Sequence, residues 1–411
     1  MTDNATALAG ARVGTMAAPR VQGWCPGALR PMMSGDGLVL RLRPRLARFT
    51  RDQILGICAA ARRHGAGLVD LTSRANLQVR GVPEAAWPQL LDAFGELGLL
   101  DADARLEGRR NLLVAPDWVA GDDTERLAIE LAGRLDELPD LPAKVGFVID
   151  AGDAPRLLGD PGDFRIERGE QGGLILRAAG RVQGVEVTAD AAVDALIALA
   201  HWFAASGGAA AGRMVRHRAP LPAWACGALL PAAAAARLAP GAHPLGWVCS
   251  LPFGQADAAA LADAVVASGA KAVRITPWRQ LLLEAARSGV SHKLDSACTD
   301  SDALAAAGWQ VEACAGAPYC VQAGVDTRAL ALRLAAAAAQ GGLSLPAALA
   351  DAPRLIHVSG CAKGCAHAGP AAICLTGRGT AFDLAFDARP GEPGHAAGLS
   401  PAAVLERLGV H

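Results

Sequence analysis

Two stretches of this 411-residue chain run through the same order of segments, and that repetition limits the fold more than any other feature. The first, Gly35 to Val82, begins with the alternating run "LVLRLR". It continues through a helix-periodic segment from Thr50 to His64 and a glycine stop, and closes on the strand-like "GLVDLTSRANLQVRGV". The second, Leu245 to Ala286, keeps that order, with "KAVRITPWRQLLLE" matching "GLVDLTSRANLQVR". A repeated unit of this size is one supersecondary piece that buries its apolar face only against a neighbour. The chain is therefore predicted to hold two related halves, each repeat being followed by a longer α/β segment.

The predicted boundaries are a disordered lead-in over 1–19, a first repeat unit over 20–100 and a first α/β domain over 105–205. A connecting region rich in Ala, Pro and Gly over 206–242 leads to a second repeat unit over 243–300 and a second α/β domain over 306–395. Hydrophobic residues make up 52% of the chain, but much of that share is alanine. The most apolar stretch, Ala195 to Gly212, is broken by His201 and by glycines, so it reads as a buried helix running into a linker rather than a membrane span. A formal net charge of -1 argues against nucleic acid as a partner. The first twenty residues hold no continuous apolar core of an export signal, and a cytoplasmic location is expected.

In a reducing compartment, grouped cysteines more often bind metal or do chemistry than form disulfides. Six of the ten are single: Cys25, Cys58, Cys226, Cys249, Cys298 and Cys374, all read as small core residues. The other four are Cys314 and Cys320 in "CAGAPYC", and Cys361 and Cys365 in "CAKGC". Structural zinc sites space paired ligands two to four apart, and the five-residue gap of the first pair fits zinc poorly. An iron–sulfur cluster tolerates such spacings, and the surrounding glycines and alanines let the backbone approach it closely. The cluster is the favoured reading, with zinc and unrelated structural thiols as its alternatives.

The segments "LTSRANLQ", "RRN" (Arg109 to Asn111) and "LPAK" (Leu141 to Lys144), the repeat and the four cysteines together resemble the nitrite and sulfite reductase superfamily, over roughly residues 20 to 390. Within it, "WCPGALRPMMSGDGLVLRLRP" and "HVSGCAKGCAHAGPAAICLTG" are most similar to the precorrin-3B synthases of aerobic cobalamin biosynthesis. The resemblance implies an α+β fold, nitrite/sulfite reductase-like, of two pseudo-repeated halves. Each half would be a ferredoxin-like β-α-β half-unit followed by a larger α/β domain. It implies a 4Fe-4S cluster on Cys314, Cys320, Cys361 and Cys365. The implied substrates are precorrin-3A, an octacarboxylate tetrapyrrole, and O2. The implied reaction is hydroxylation at C20 with γ-lactone formation from the ring A acetate, and no sirohaem is expected.

Arginine suits carboxylates because its planar fork binds them bidentately. By motif position the resemblance nominates Arg43, Arg74, Arg110 and Lys144 for the substrate carboxylates, with Asn76 and Gln78 as secondary candidates on the face of the same presumed strand as Arg74. Lys363 faces either cluster or pocket, and Arg279 of the second repeat is one position out of register with Arg74. Two departures from the reductases remove positive charge: Asp70, where they tend to carry a basic residue, and Gly146, where they carry a second lysine. The family also implies a mononuclear non-haem iron. The nine histidines contain no His-x-Asp/Glu, and His357 and His367 are its nearest candidates. No Gly-x-Gly-x-x-Gly follows a strand, so NADH-derived electrons are expected from a separate reductase or ferredoxin. A sirohaem-dependent sulfite or nitrite reductase, recognisable by extractable haem, and a non-catalytic electron carrier are the competing readings.

Overall fold

The computed structural model describes residues 25–286, 304, 307–344, 346, 349, 354–367 and 369–410. The lead-in over 1–19, Cys298 and the end of the second repeat unit lie outside the described residues. The chain divides into two compact units, Gly23–Asp302 and Ala303–His411.

The first unit contains both repeats. Repeat one gives β1 (Met32–Ser34), β2 (Gly37–Leu42), β3 (Arg48–Thr50), helix α1 (Arg51–His64), β4 (Leu68–Leu71) and β5 (Leu77–Val82). Thr50 caps α1: its hydroxyl accepts from the Gln53 N–H while the Gln53 side chain reaches back to the Thr50 N–H. Helices α2 (Trp87–Glu96) and α3 (Ala104–Arg109) follow. The first α/β segment then contributes β6 (Leu112–Val114), α4 (Asp123–Gly133), β7 (Phe147–Asp150), β8 (Phe164–Arg168), β9 (Leu174–Ala178), β10 (Val185–Val187), α5 (Ala192–Ala205) and the short α6 (Gly208–Ala211). Among the described residues no helix is long and apolar enough to cross a membrane, and the Ala195–Gly212 stretch is the buried α5 running into a glycine-flanked turn. Repeat two gives β11 (Gly241–His243), β12 (Gly246–Ser250), β13 (Gln255–Asp257), α7 (Ala258–Ala267), β14 (Ala272–Ile275) and β15 (Gln280–Glu284).

The repeats trade edge strands. One sheet has the order β1-β2-β5-β4-β13 and its twin the order β11-β12-β15-β14-β3. Thus β13 of the second repeat closes the first sheet on β4, and β3 of the first repeat closes the second sheet on β14. Helices α1 and α7 pack together, and one hydrophobic core draws on both repeats, from Leu40, Ile54 and Leu77 to Leu261, Val273 and Leu281. Burial of apolar area on that scale is the main force holding the two repeats as one body.

Each segment expected to end its repeat as a single strand-like run is a hairpin. In the first, β4 and β5 are antiparallel, and the turn is pinned by Thr72, whose hydroxyl accepts from the Arg74 and Asn76 N–H groups. In the second, the Thr276 hydroxyl does the same for Trp278 and Gln280. Ala75 and Arg279 hold positive φ, at 52° and 63°, at matching turn positions. Arg74 and Asn76 therefore lie in the turn, and only Gln78 of the three is on the strand. The matching turns also put Trp278, not Arg279, in the place of Arg74.

The register shows a further difference between the twins. Arg41, Gln78, Asp70 and Gln255 form one row across the first sheet. Val248, Leu282, Arg274 and Arg48 form the corresponding row across the second. Buried Asp70 pairs with Arg80 at 3.1 Å, whereas at the matching positions Arg274 pairs with Glu284. The ion pair occurs in both sheets with its polarity reversed. Asp70 is thus a structural partner of Arg80 and, through Oδ1, of the Gln255 amide at 3.0 Å.

The second unit repeats the order of the first α/β domain. Strands β16 (Gln310–Ala313), β17 (Leu355–Ser359), β18 (Ala371–Arg378), β19 (Ala381–Ala388) and β20 (Ala396–Leu399) form one sheet in sequence order. The pairs β16–β17 and β17–β18 are parallel and the later pairs antiparallel, the same pattern as β6 to β10. Helix α8 (Thr327–Ala339) packs on β16 and β17, and α9 (Pro401–Arg407) on β19 and β20.

Candidate functional site

Adjacent parallel strands deliver the first and third grouped cysteines side by side. Cys314 follows β16 directly, its N–H donating to the Val358 carbonyl at 3.2 Å, and Cys361 follows β17 after one residue, Gly360. The Gly360 N–H donates to Cys314 Sγ at 3.1 Å. A Cβ at Gly360 would come within 2.6 Å of the Ala323 Cβ, so only glycine lets this backbone lie against the thiol. Burial pushes the Cys365 thiol up, Lys363 pulls it down, and Cys314, Cys361 and Cys320 push it up further. All four sulfurs therefore share one electrostatic neighbourhood. Among the described residues, no three Cys, His, Asp or Glu side chains close on a single-ion site. Four neighbouring thiols with a backbone N–H aimed at one of them fit a cluster cage. In the first half the same register places Ala115 after β6 and Gly152 after β7, so that half lacks the thiols.

In the other unit, the nominated cations form a contiguous group. Arg43 is buried, donates to the Pro26 carbonyl at 3.4 Å and lies 3.4 Å from Glu107, and its Nε has no partner. Burial lowers its titration, Glu107 opposes that fall, and Arg110 adds to it. Arg110 spends its fork on Asp101, at 2.7 Å from Nη2, and on the Arg43 carbonyl. Arg74 donates through Nη2 to the Lys144 carbonyl at 2.9 Å, which leaves the Lys144 side chain exposed beside it. Arg41, two residues before Arg43, lies between Arg43 and Arg74. Burial pulls it down to about 10, with Cys25 opposing and both neighbouring arginines adding to the fall. Its Nε too is buried without a partner.

Glu107 ties the N-terminal segment over this group, accepting from the Ala28 N–H at 2.5 Å and the Leu29 N–H at 3.2 Å. That brings Cys25 into contact with Arg41, so it is no inert core thiol. Cys226 is exposed, also unlike a core residue, whereas Cys58, Cys249 and Cys374 are buried as expected. The second sheet has no such group: where Arg41, Arg43 and Arg74 stand, it carries Val248, Ser250 and Trp278.

His357 is fully buried on β17, and its ring meets that of His367 edge-to-face, centroids 5.8 Å apart. The two candidates are thus neighbours, with no carboxylate completing a triad among the described residues.

The family model for the nitrite/sulfite reductase ferredoxin-like half domain matches residues 30–97. The Mycobacterium tuberculosis NirA protein shares the fold: the TM-score is 0.50 at 15% identity, over 88% of this chain and 76% of that one. A ferredoxin–nitrite reductase of Leptolyngbya laminosa is 30% identical over 119 residues, 29% of this chain and 22% of that protein. A precorrin-3B synthase of Sinorhizobium sp is 30% identical over 419 residues, spanning 93% of this chain and 86% of its own length.

The chain belongs to the precorrin-3B synthase family.

In this precorrin-3B synthase family member the fold is the α+β, nitrite/sulfite reductase-like one, and the nominated cations gather around the end of the first sheet where Arg41 and the β4–β5 turn lie. Sequence reasoning passed over Arg41, although the alternation in "LRLRP" puts it on the same strand face as Arg43. It also passed over Glu107, which has no motif of its own and is recognisable only by what it touches.

Proposed function

We propose that the chain is the oxygen-dependent monooxygenase that converts precorrin-3A to precorrin-3B, hydroxylating C20 and closing the ring A acetate to a γ-lactone. The observation that carries this reading is the group of Arg41, Arg43 and Arg74, close together and part-buried, in which Nε of Arg41 and of Arg43 is buried without a hydrogen-bond partner. Buried positive charge of this kind costs several kcal/mol unless an anion meets it. A tetrapyrrole with eight carboxylates is such an anion. Arg74 and Arg41 grip the substrate's carboxylates, Lys144 adds an exposed cation beside them, and Arg110 braces the Arg43 backbone. The Cys25–Leu29 segment, held by Glu107, limits water access to the same group.

Cys314, Cys320, Cys361 and Cys365 would hold the 4Fe-4S cluster, which supplies single electrons. The electrons come from NADH through a separate reductase or ferredoxin in the cytoplasm. One atom of O2 enters the product and the other leaves as water, which requires two electrons and two protons. A mononuclear iron held by protein ligands alone has no ready site among the described residues, where no three His, Cys, Asp or Glu side chains close on one ion, although Glu312 stands opposite His357 in the β16–β17 register.

The test is incubation of anaerobically purified protein with precorrin-3A, an NADH-fed reductase and 18O2. One 18O atom in a lactone product, with no haem extracted into acid acetone, is the expected result. Sirohaem in the extract would mean the pocket already holds a tetrapyrrole, and would replace this reading with a sulfite or nitrite reductase.

A further inference from the structure

We infer that Arg213, from the connecting region between the halves, is a further binding residue for a substrate carboxylate, placed there by buried Asp163. This rests on the tetrapyrrole reading of the cation group and extends it to a residue outside every motif.

Asp163 has no exposed surface and accepts four hydrogen bonds: from the Gly146 N–H at 3.0 Å, the Met214 N–H at 2.8 Å, and Arg213 Nε at 2.9 Å to each oxygen. One carboxylate therefore fixes both the 146 loop and the stem of Arg213. Gly146 has no room for a side chain, because a Cβ there would lie 2.9 Å from the Asn111 carbonyl oxygen. The cation at this point in the site thus comes from a different segment of the chain. Arg213 is near enough to Arg74 to lower its titration, after the larger effect of burial.

Because Nε is the atom bound to Asp163, the two terminal nitrogens, which form the carboxylate-binding fork, are left over. Neither has a partner among the described residues, and about a fifth of the side chain (22%) is exposed. Neutralising Asp163 alone would account for the Nε contact but not for an open fork beside Arg74. Among the described residues, the five arginines of the group, Arg41, Arg43, Arg74, Arg110 and Arg213, meet three carboxylates, Glu107, Asp163 and Asp101, so positive charge remains for a ligand.

The test titrates the full-length protein with uroporphyrin, a fluorescent octacarboxylate, at two salt concentrations. Arg213→Gln is expected to weaken binding about 5- to 30-fold and to flatten its salt dependence, with Arg213→Lys restoring part of the loss. In turnover with precorrin-3A, KM should rise more than kcat falls. If Arg213→Gln alone fails to fold, the charge-balanced Asp163→Asn/Arg213→Gln pair takes its place, with the same weakening expected. Wild-type affinity in a folded Arg213 variant, with Arg74→Gln still binding weakly, would overturn the inference and leave the tetrapyrrole reading intact. Wild-type affinity in Arg74→Gln and Arg41→Gln as well would remove that reading too.

Discussion

Asp150 ends β7 almost without exposed surface, beside a cavity of about 310 Å3 that Asp117, Asp122, Asp153 and Arg156 also line. Burial pushes its carboxyl up to about 6 from 3.8, against the pull of the Leu157 N–H, which donates to it at 2.7 Å. A carboxyl raised on folding binds its proton more tightly in the native state. Its contribution to stability is therefore full below pH 3.8, falls as pH rises toward 6, and is flat above. The whole effect is roughly 2–3 kcal/mol. Asp150→Asn keeps an acceptor for Leu157 and should raise stability at pH 7 by about that amount, while removing the fall between pH 4 and 6. Urea unfolding at pH 4, 5 and 7 checks this, and a variant with the wild-type pH slope would show that folding does not raise the Asp150 carboxyl. At the same scale, Arg41 and Arg213 were not equally readable. Arg41 alternates with Arg43 in plain view, whereas Arg213 lies in an Ala- and Gly-rich stretch with no periodicity and acquires its place only through Asp163, fifty residues away.

The two hairpins are close copies carrying different cargo. Thr72 and Thr276 each hold their turn with two backbone N–H groups, yet one turn presents Arg74 and the other Trp278, whose indole donates to Asp160 at 3.1 Å. Thr72→Val and Thr276→Val should each cost about 1–2 kcal/mol, because each strands two donors. Only Thr72→Val should weaken uroporphyrin binding, since only that turn aims a cation. Equal binding losses in the two variants would mean that the tetrapyrrole does not distinguish the sheets. The hairpins were not legible as such, because "LTSRANLQ" and "ITPWRQLL" contain none of the Asn-Gly or Asp-Gly pairs that mark tight turns; a threonine hydroxyl does that work instead. The helix between Thr50 and His64 was legible, because its cap and its apolar spacing agree.

Across the whole molecule, the existence of two halves was readable from the repeated order of segments, and so was the asymmetric placement of the four grouped cysteines. The exchange of β3 and β13 was not, because strands of three residues give no usable alternation. Nor was the reversed ion pair, which emerges only when Asp70 and Arg274 are set in a common register. The exchange predicts that the halves are not separable. A fragment ending at residue 240 lacks β13 and leaves the β4 edge bare, and should aggregate when made alone. Co-expressed with residues 241–411 it should be rescued and co-purify. A fragment that stays monomeric and folded by itself would show that the exchanged edge is dispensable.

The exchange also orders events during synthesis. As the nascent chain leaves the ribosome, the first sheet acquires β1, β2, β5 and β4 early, but its last edge arrives only when Asp257 has been made. Until then the Arg41, Arg43 and Arg74 site is built on an unfinished sheet, while β3 waits unpaired for β14. The translation machinery thus releases a chain whose first sheet, with its arginine group, cannot mature before β13 of the second repeat has been written.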